Sequence, residues 1–118
     1  MDVLAQRAED EASARLAANV ASYALGVSTD VILRLKRGKR REAFARQVAM
    51  YLCHVGFELS LQRVAIAFGR DRSTVAHACH VIEDKREDDR FEFWIRGLEL
   101  MLRRAPPSHQ RRTPEVLR

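Results

Sequence analysis

Apolar positions recur along this chain at intervals of three and four residues and nowhere alternate with period two over a useful length, which predicts helices and no sheet. Residues Asp2 to Leu25 are rich in Ala, Glu, Arg and Leu, with Leu16, Val20, Tyr23 and Ala24 on one stripe, and Gly26 ends the segment. Ser28, Thr29 and Asp30 are cap-forming residues ahead of a short second helix that buries Val31, Ile32 and Leu35. From Lys36 to Arg41, Gly38 lies among cations, the composition of a loop. A third helix is expected from about Glu42 to Val55, with Phe44, Val48, Tyr51, Leu52 and Val55 at helical spacing and Gly56 closing it. Ser60 reads as the N-cap of a fourth helix, Leu61 to Phe68, which Gly69 stops. A fifth starts near Arg72 or Ser73 and runs to about Glu87 on a stripe of Val75, Ala78, Cys79 and Ile82. A sixth, Phe91 to Arg104, turns Phe91, either Trp94 or Ile95, Leu98, Met101 and Leu102 inward, and Pro106-Pro107 ends it. The expected fold is all-α: a compact bundle of about six helices over residues 1–104, followed by a disordered basic tail at 105–118.

Composition narrows the class. With 118 residues, 47% of them hydrophobic, the chain builds one core and not two. Its apolar runs are short and broken by charge, so no segment is expected to cross a bilayer, and the start lacks the basic and apolar stretches of a signal peptide. Two cysteines, Cys53 and Cys79, form no disulfide framework, and a reducing, cytoplasmic and nucleoid-associated setting is the expectation. Net charge is +5, and its distribution says more than its size. Arg34, Lys36, Arg37, Lys39, Arg40, Arg41 and Arg46 face only Glu42, whereas Glu83, Asp84, Glu87, Asp88 and Asp89 outnumber Lys85 and Arg86. Segregation of this kind suits a protein with one side turned to a polyanion, although a solvated face produces it too.

Residues 60–87 carry the chemistry. A helix-turn-helix needs a small residue where its helices touch, a turn residue that tolerates positive φ, and an apolar residue inside the second helix. Ala65, Gly69 and Val75 meet these needs in order. Val64, Phe68, Val75 and Ala78 then form the inner face, leaving Asp71, Arg72, Ser73, Ala76, His77 and His80 outside. Such a face suits the major groove. Arg72 matches guanine N7 and O6 with two donors, and Asp71 accepts from a cytosine amino group. Ser73 and Thr74 are small enough to reach base or phosphate, and Ala76 or the Thr74 methyl can meet a thymine methyl.

Two runs in register, Ala45-Arg-Gln-Val-Ala-Met-Tyr-Leu52 and Ala67-Phe-Gly-Arg-Asp-Arg-Ser-Thr-Val-Ala-His-Ala78, resemble the C-terminal DNA-binding domain of the bacterial replication initiator DnaA. That family's patterns read close to ARQIAMYL and FG-x-RDHSTVxHA, and the likeness extends weakly from about Ala12 to about Leu102. The resemblance implies a DnaA C-terminal, Trp-repressor-like fold that reads double-stranded DNA, with DnaA-box-like sites as the expected targets. It assigns base reading to Asp71, Arg72, Ser73 and Thr74, with Ala76 and His77 one turn on. Arg46 and Gln47 match phosphate-holding positions, and Lys36, Arg37, Lys39, Arg40 and Arg41 lie where the family sends an arginine into the minor groove. Strict register places Gly38 at that arginine's position. Ser60 and Gln62, at the start of the fourth helix, complete the expected phosphate contacts.

The chain departs from the family in three ways. Arg72 stands where the family has a base-reading histidine, the turn is one residue shorter, and no GxxxxGK[ST] run occurs. The expectation is therefore a stand-alone reader that regulates replication initiation or transcription by site occupancy, with no enzyme activity, cofactor or small-molecule substrate. The competing reading is a protein-interaction module that kept the fold and lost specific DNA binding, dimerising or holding a partner through residues 1–25. Cys53-His54 and Cys79-His80 are not expected to bind metal, because adjacent helical residues diverge by about 100° and the usual zinc spacings are missing.

Overall fold

Capping chemistry divides the chain into α1 (Val3–Leu25), α2 (Thr29–Arg34), α3 (Arg40–Gly56), α4 (Leu61–Phe68), α5 (Arg72–Lys85) and α6 (Asp89–Arg104) in a computed structural model that describes residues 2–34 and 38–105. Among the described residues there is no strand. The expectations for Leu35, Lys36, Arg37 and the tail beyond Ala105 lie outside the described residues.

Asp2 starts α1 by accepting the Ala5 amide at 2.7 Å, and Gly26 ends it at φ 71°. The buried stripe of α1 is made largely of alanines: Ala14, Ala17, Ala18 and Ala21, joined by Leu16 and Val20. Small side chains let α1 approach α3, its principal neighbour, closely. Tyr23 corrects the predicted stripe. It is 80% exposed, because two residues beyond Ala21 a helix has turned by about 200°. Nearer the start, Asp10 is buried and receives both Nε (2.9 Å) and Nη2 (2.8 Å) of Arg63. That fork ties α1 to α4. From Asp10 onward α1 is thus part of the domain, while Val3 and Leu4 remain exposed.

Central α3 contributes Val48, Ala49, Leu52 and Cys53, all fully buried. It begins two residues earlier than the loop composition predicted. The Lys39 amide donates to the Glu42 carboxylate at 3.0 Å, which draws Arg40 and Arg41 into the first turn. At the other end Gly56 is the last helical residue, not a terminator, and Val55 sits at the exposed edge instead of the core. A Cβ on Gly56 would collide with the side chain of Leu102, so the glycine is there to let α6 cross.

Arg86 fastens α6 in place. Its guanidinium reaches Glu92 (2.6 Å), Glu99 (2.7 Å) and the Tyr51 hydroxyl (2.7 Å), joining the end of α5 to α6 and α3. Asp88 caps α6 by accepting the amides of Arg90 and Phe91, so that helix begins at Asp89. Ile95, Leu98 and Leu102 enter the core. Trp94 instead lies half-buried against Phe44, with ring centroids 6.2 Å apart, and against Phe91 at 5.3 Å. Met101, expected inside, is exposed beside Leu102.

Candidate nucleic-acid interface

The turn between α4 and α5 is set by Gly69. Its φ is 66°, and a Cβ there would meet nothing, so the glycine answers a conformational need only. The Arg70 amide donates to Ala65 O at 2.9 Å and the Gly69 amide to Ile66 O at 3.1 Å, the paired bonds that stop a helix at a left-handed residue. Ala65 is buried where the helices meet, and Val64, Phe68, Val75 and Ala78 are buried as the inner face. Since the apolar side of α5 is fixed this way, its other side has to point outward.

On that outer side Asp71, Arg72, Ser73, Thr74, His77 and His80 are exposed and Ala76 is half-buried. Asp71 occupies the N-cap of α5, yet its carboxylate accepts no capping bond, so both oxygens are available to an incoming donor. His80 lies 3.8 Å from Asp84 along the helix. Ser60 caps α4 by accepting the Arg63 amide at 3.2 Å, and Gln62 is exposed in the first turn.

The cations divide into two groups. Lys39 and Arg40 are exposed at the start of α3. Arg40 and Gln47 line one shallow groove with Phe44, Val81 and Lys85, which brings the first turns of α3 alongside α5. Arg41, exposed and lining the same groove, and buried Arg46 both bond to carbonyls of the fold. Arg41 donates to Leu25 O through Nη2 (2.6 Å) and Nε (3.2 Å) and sits where a Cβ on Gly26 would go. Arg46, only 6% exposed, donates from Nε to Ile32 O (3.0 Å) and from Nη2 to Val31 O (3.4 Å). Each guanidinium thus sits at the carbonyl end of a preceding helix, where a cation is electrostatically favoured. For Arg46, an expected phosphate contact, Nε and Nη2 are both bonded to protein carbonyls. Burial, then the charge of Arg70, pushes the Arg46 guanidinium below its ordinary pKa.

Arg70, not among the expected contacts, is a further cation in the turn between α4 and α5. It stands half-buried, with Nη1 at 3.3 Å from Phe68 O and 3.4 Å from Gly69 O. It follows the glycine directly, so the signal was present in the quoted run but was overshadowed by Arg72. Among the described residues no group of three His, Cys, Asp or Glu side chains converges to hold a metal ion, and no helix is long and apolar enough to cross a membrane. Burial raises the thiols of Cys53 and Cys79 to about 12 and about 11.

Residues 15–82 match the family described as the bacterial DnaA protein helix-turn-helix. Among curated relatives, the chromosomal replication initiator protein DnaA 1 of Chlamydia pneumoniae is 44% identical over 72 residues, covering 60% of this chain and 15% of the relative. The corresponding DnaA protein of Aquifex aeolicus (strain VF5) is 43% identical over 72 residues, covering 60% of this chain and 18% of the relative. A crystal structure of a DNA replication initiation factor superposes with a TM-score of 0.74 at 27% identity, over 86% of this chain and 31% of that one. The chain thus spans less than a fifth of the length of these curated relatives.

Proposed function

Since the chain belongs to the bacterial DnaA helix-turn-helix family and is a DNA-binding domain of that type, we propose that it reads specific double-stranded sites through α5 and regulates replication initiation or transcription by occupying them. The observation that carries this reading is the exposed first turn of α5, whose Asp71 carboxylate is free of the capping bond. With Val75, Ala78 and Ile82 fixed in the core, a helix laid in a major groove presents Asp71, Arg72, Ser73 and Thr74 to base edges and His77 one turn later. Lys39, Arg40, Gln47, Ser60 and Gln62 take phosphates on either side, with Arg70 in the turn as an added candidate. The family resemblance supports DnaA-box-like sites as targets. Arg72, a permanent forked cation, favours guanine at the position it reads. The proposed role, occupancy of a duplex site, draws on the residues of the helix-turn-helix and on no GxxxxGK[ST] run, which these 118 residues do not carry.

Selection of bound sequences from a random duplex pool tests the proposal. Enrichment of a DnaA-box-like nonamer supports the reading, and an unrelated consensus sequence refutes the target class while keeping specific recognition. A salt titration accompanies it, expected to show affinity falling steeply with log salt. No duplex binding at low salt would sink the proposal and favour the protein-interaction reading.

A further inference from the structure

Lys85 ends α5 among acids: Glu83, Asp84, Glu87 and Asp88 are all exposed within three residues of it. Among the described residues it is paired with none of them. Its ammonium lies instead 5.7 Å from the centroid of the Phe44 ring on α3. A ring face attracts a cation through its quadrupole, yet it carries no countercharge, so the positive charge stays available to an anion. Two neighbouring hollows share Lys85 and no other lining residue. In one, Asp84, Glu87 and Asp88 stand around Phe91 and Trp94. In the other, Arg40, Arg41 and Gln47 border a floor of Phe44 and Val81, with no acid in the lining.

Phe44 belongs to the second groove, so the ammonium over its ring stands on the cationic side and not among the acids. The ring is itself held by stacking on Trp94, with centroids 6.2 Å apart. Arg41 commits Nε and Nη2 to Leu25 O. Arg40 and Lys85 are then the two cations of this groove with no acceptor among the described residues. They stand on different helices, α3 and α5. An open groove holds a small anion weakly, whereas an extended polyanion crosses it and meets both cations at once. On the DNA-reading proposal, from which this follows, Arg40 and Gln47 already lie against a phosphate backbone. A strand passing over the start of α3 meets Lys85 across the groove. Beyond Lys85, Asp84, Glu87 and Asp88 repel it, which makes Lys85 the last contact on that side.

We propose that Lys85 binds a backbone phosphodiester at the edge of the bound duplex, with Phe44 as the positioning residue that holds its ammonium over the groove. Methylphosphonate scanning tests this: each phosphate of a duplex bound by the full chain is replaced in turn by a neutral linkage, and affinity is measured. One linkage near the edge of the footprint should lose affinity when neutralised, and that loss should vanish in Lys85→Gln while the losses at other linkages remain. Lys85→Gln should also lower the salt slope by about one, and Lys85→Arg, which keeps the charge, should hold it. Preference for a selected over a scrambled duplex, and the melting temperature, should be unchanged in both. Phe44→Leu should weaken duplex binding by about two- to fivefold, the effect of losing an exposed cation–ring contact. Phe44→Tyr keeps the ring and should not, and Phe44→Leu should add nothing to Lys85→Gln. An unchanged salt slope in Lys85→Gln overturns the proposal. So does an equal change at every linkage, the mark of a diffuse field, or a Phe44→Leu loss that persists without Lys85. Each of these leaves duplex binding, and with it the DNA-reading proposal, in place. Failure to bind any duplex at low salt sinks both.

Discussion

Arginines with the same side chain take different parts in this domain, and the difference lies in what surrounds each guanidinium. Arg72 and Arg40 are exposed with their forks turned outward, whereas Arg46 is enclosed by the carbonyls of Val31 and Ile32. Arg72→Ala should therefore cost sequence discrimination, about 1–3 kcal/mol between the selected site and a scrambled duplex. Arg40→Ala should weaken both duplexes alike and lower the salt slope by about one. Equal losses on the two duplexes for Arg72→Ala would make it a phosphate contact. Arg46→Met is expected to act on folding. Leaving buried carbonyls without a donor costs about 1–3 kcal/mol, read from urea denaturation. The salt slope of binding should stay where it was. A full-strength fold with a reduced slope would restore Arg46 to the phosphate set.

Helices depend on one another most visibly where α6 crosses α3. Gly56→Ala places a methyl against Leu102 and should cost about 1–3 kcal/mol, the range for overpacking a tight contact. Leu102→Ala opens a cavity and should cost about 2–5 kcal/mol alone. The double variant should be more stable than the sum predicts, and a double-mutant cycle measures the difference. Additivity would mean that α6 shifts freely. The Arg86 cluster makes the same docking pH-sensitive. Hydrogen bonds from Arg86 and then Arg96 hold the Glu92 carboxyl down to about 2, against an ordinary 4.5. A depressed carboxyl contributes stability that is fully present above 4.5 and is lost as pH falls through about 2. Stability should decline across that window, and Glu92→Gln should flatten the decline in acid denaturation profiles.

Over the whole domain, burial governs the thiols. Cys53 is fully enclosed, Cys79 nearly so, and both are raised well above neutral pH, so neither forms a thiolate at pH 8 in the folded state. A thiol-reactive chromophore should label neither until denaturant unfolds the chain; rapid labelling in native buffer would contradict the packing. By itself the sequence determined a good deal here. The helical period, the Ser60 cap and Gly69 located all six helices and the helix-turn-helix to within a few residues, because these signals are local and act through backbone conformation. It also placed Val75, Ala78, Cys79 and Ile82 in the core, since a helix anchored by one apolar face has no other way to lie. Only the tertiary structure decided that Tyr23 and Met101 face outward and that Gly56 exists for Leu102. It alone showed Arg41 and Arg46 bonded to the ends of earlier helices, across separations of 14 to 16 residues. Periodicity gives the axis of a stripe but not the partner it meets, and a cation in a basic run carries no mark of whether its acceptor is a phosphate or a carbonyl of its own chain.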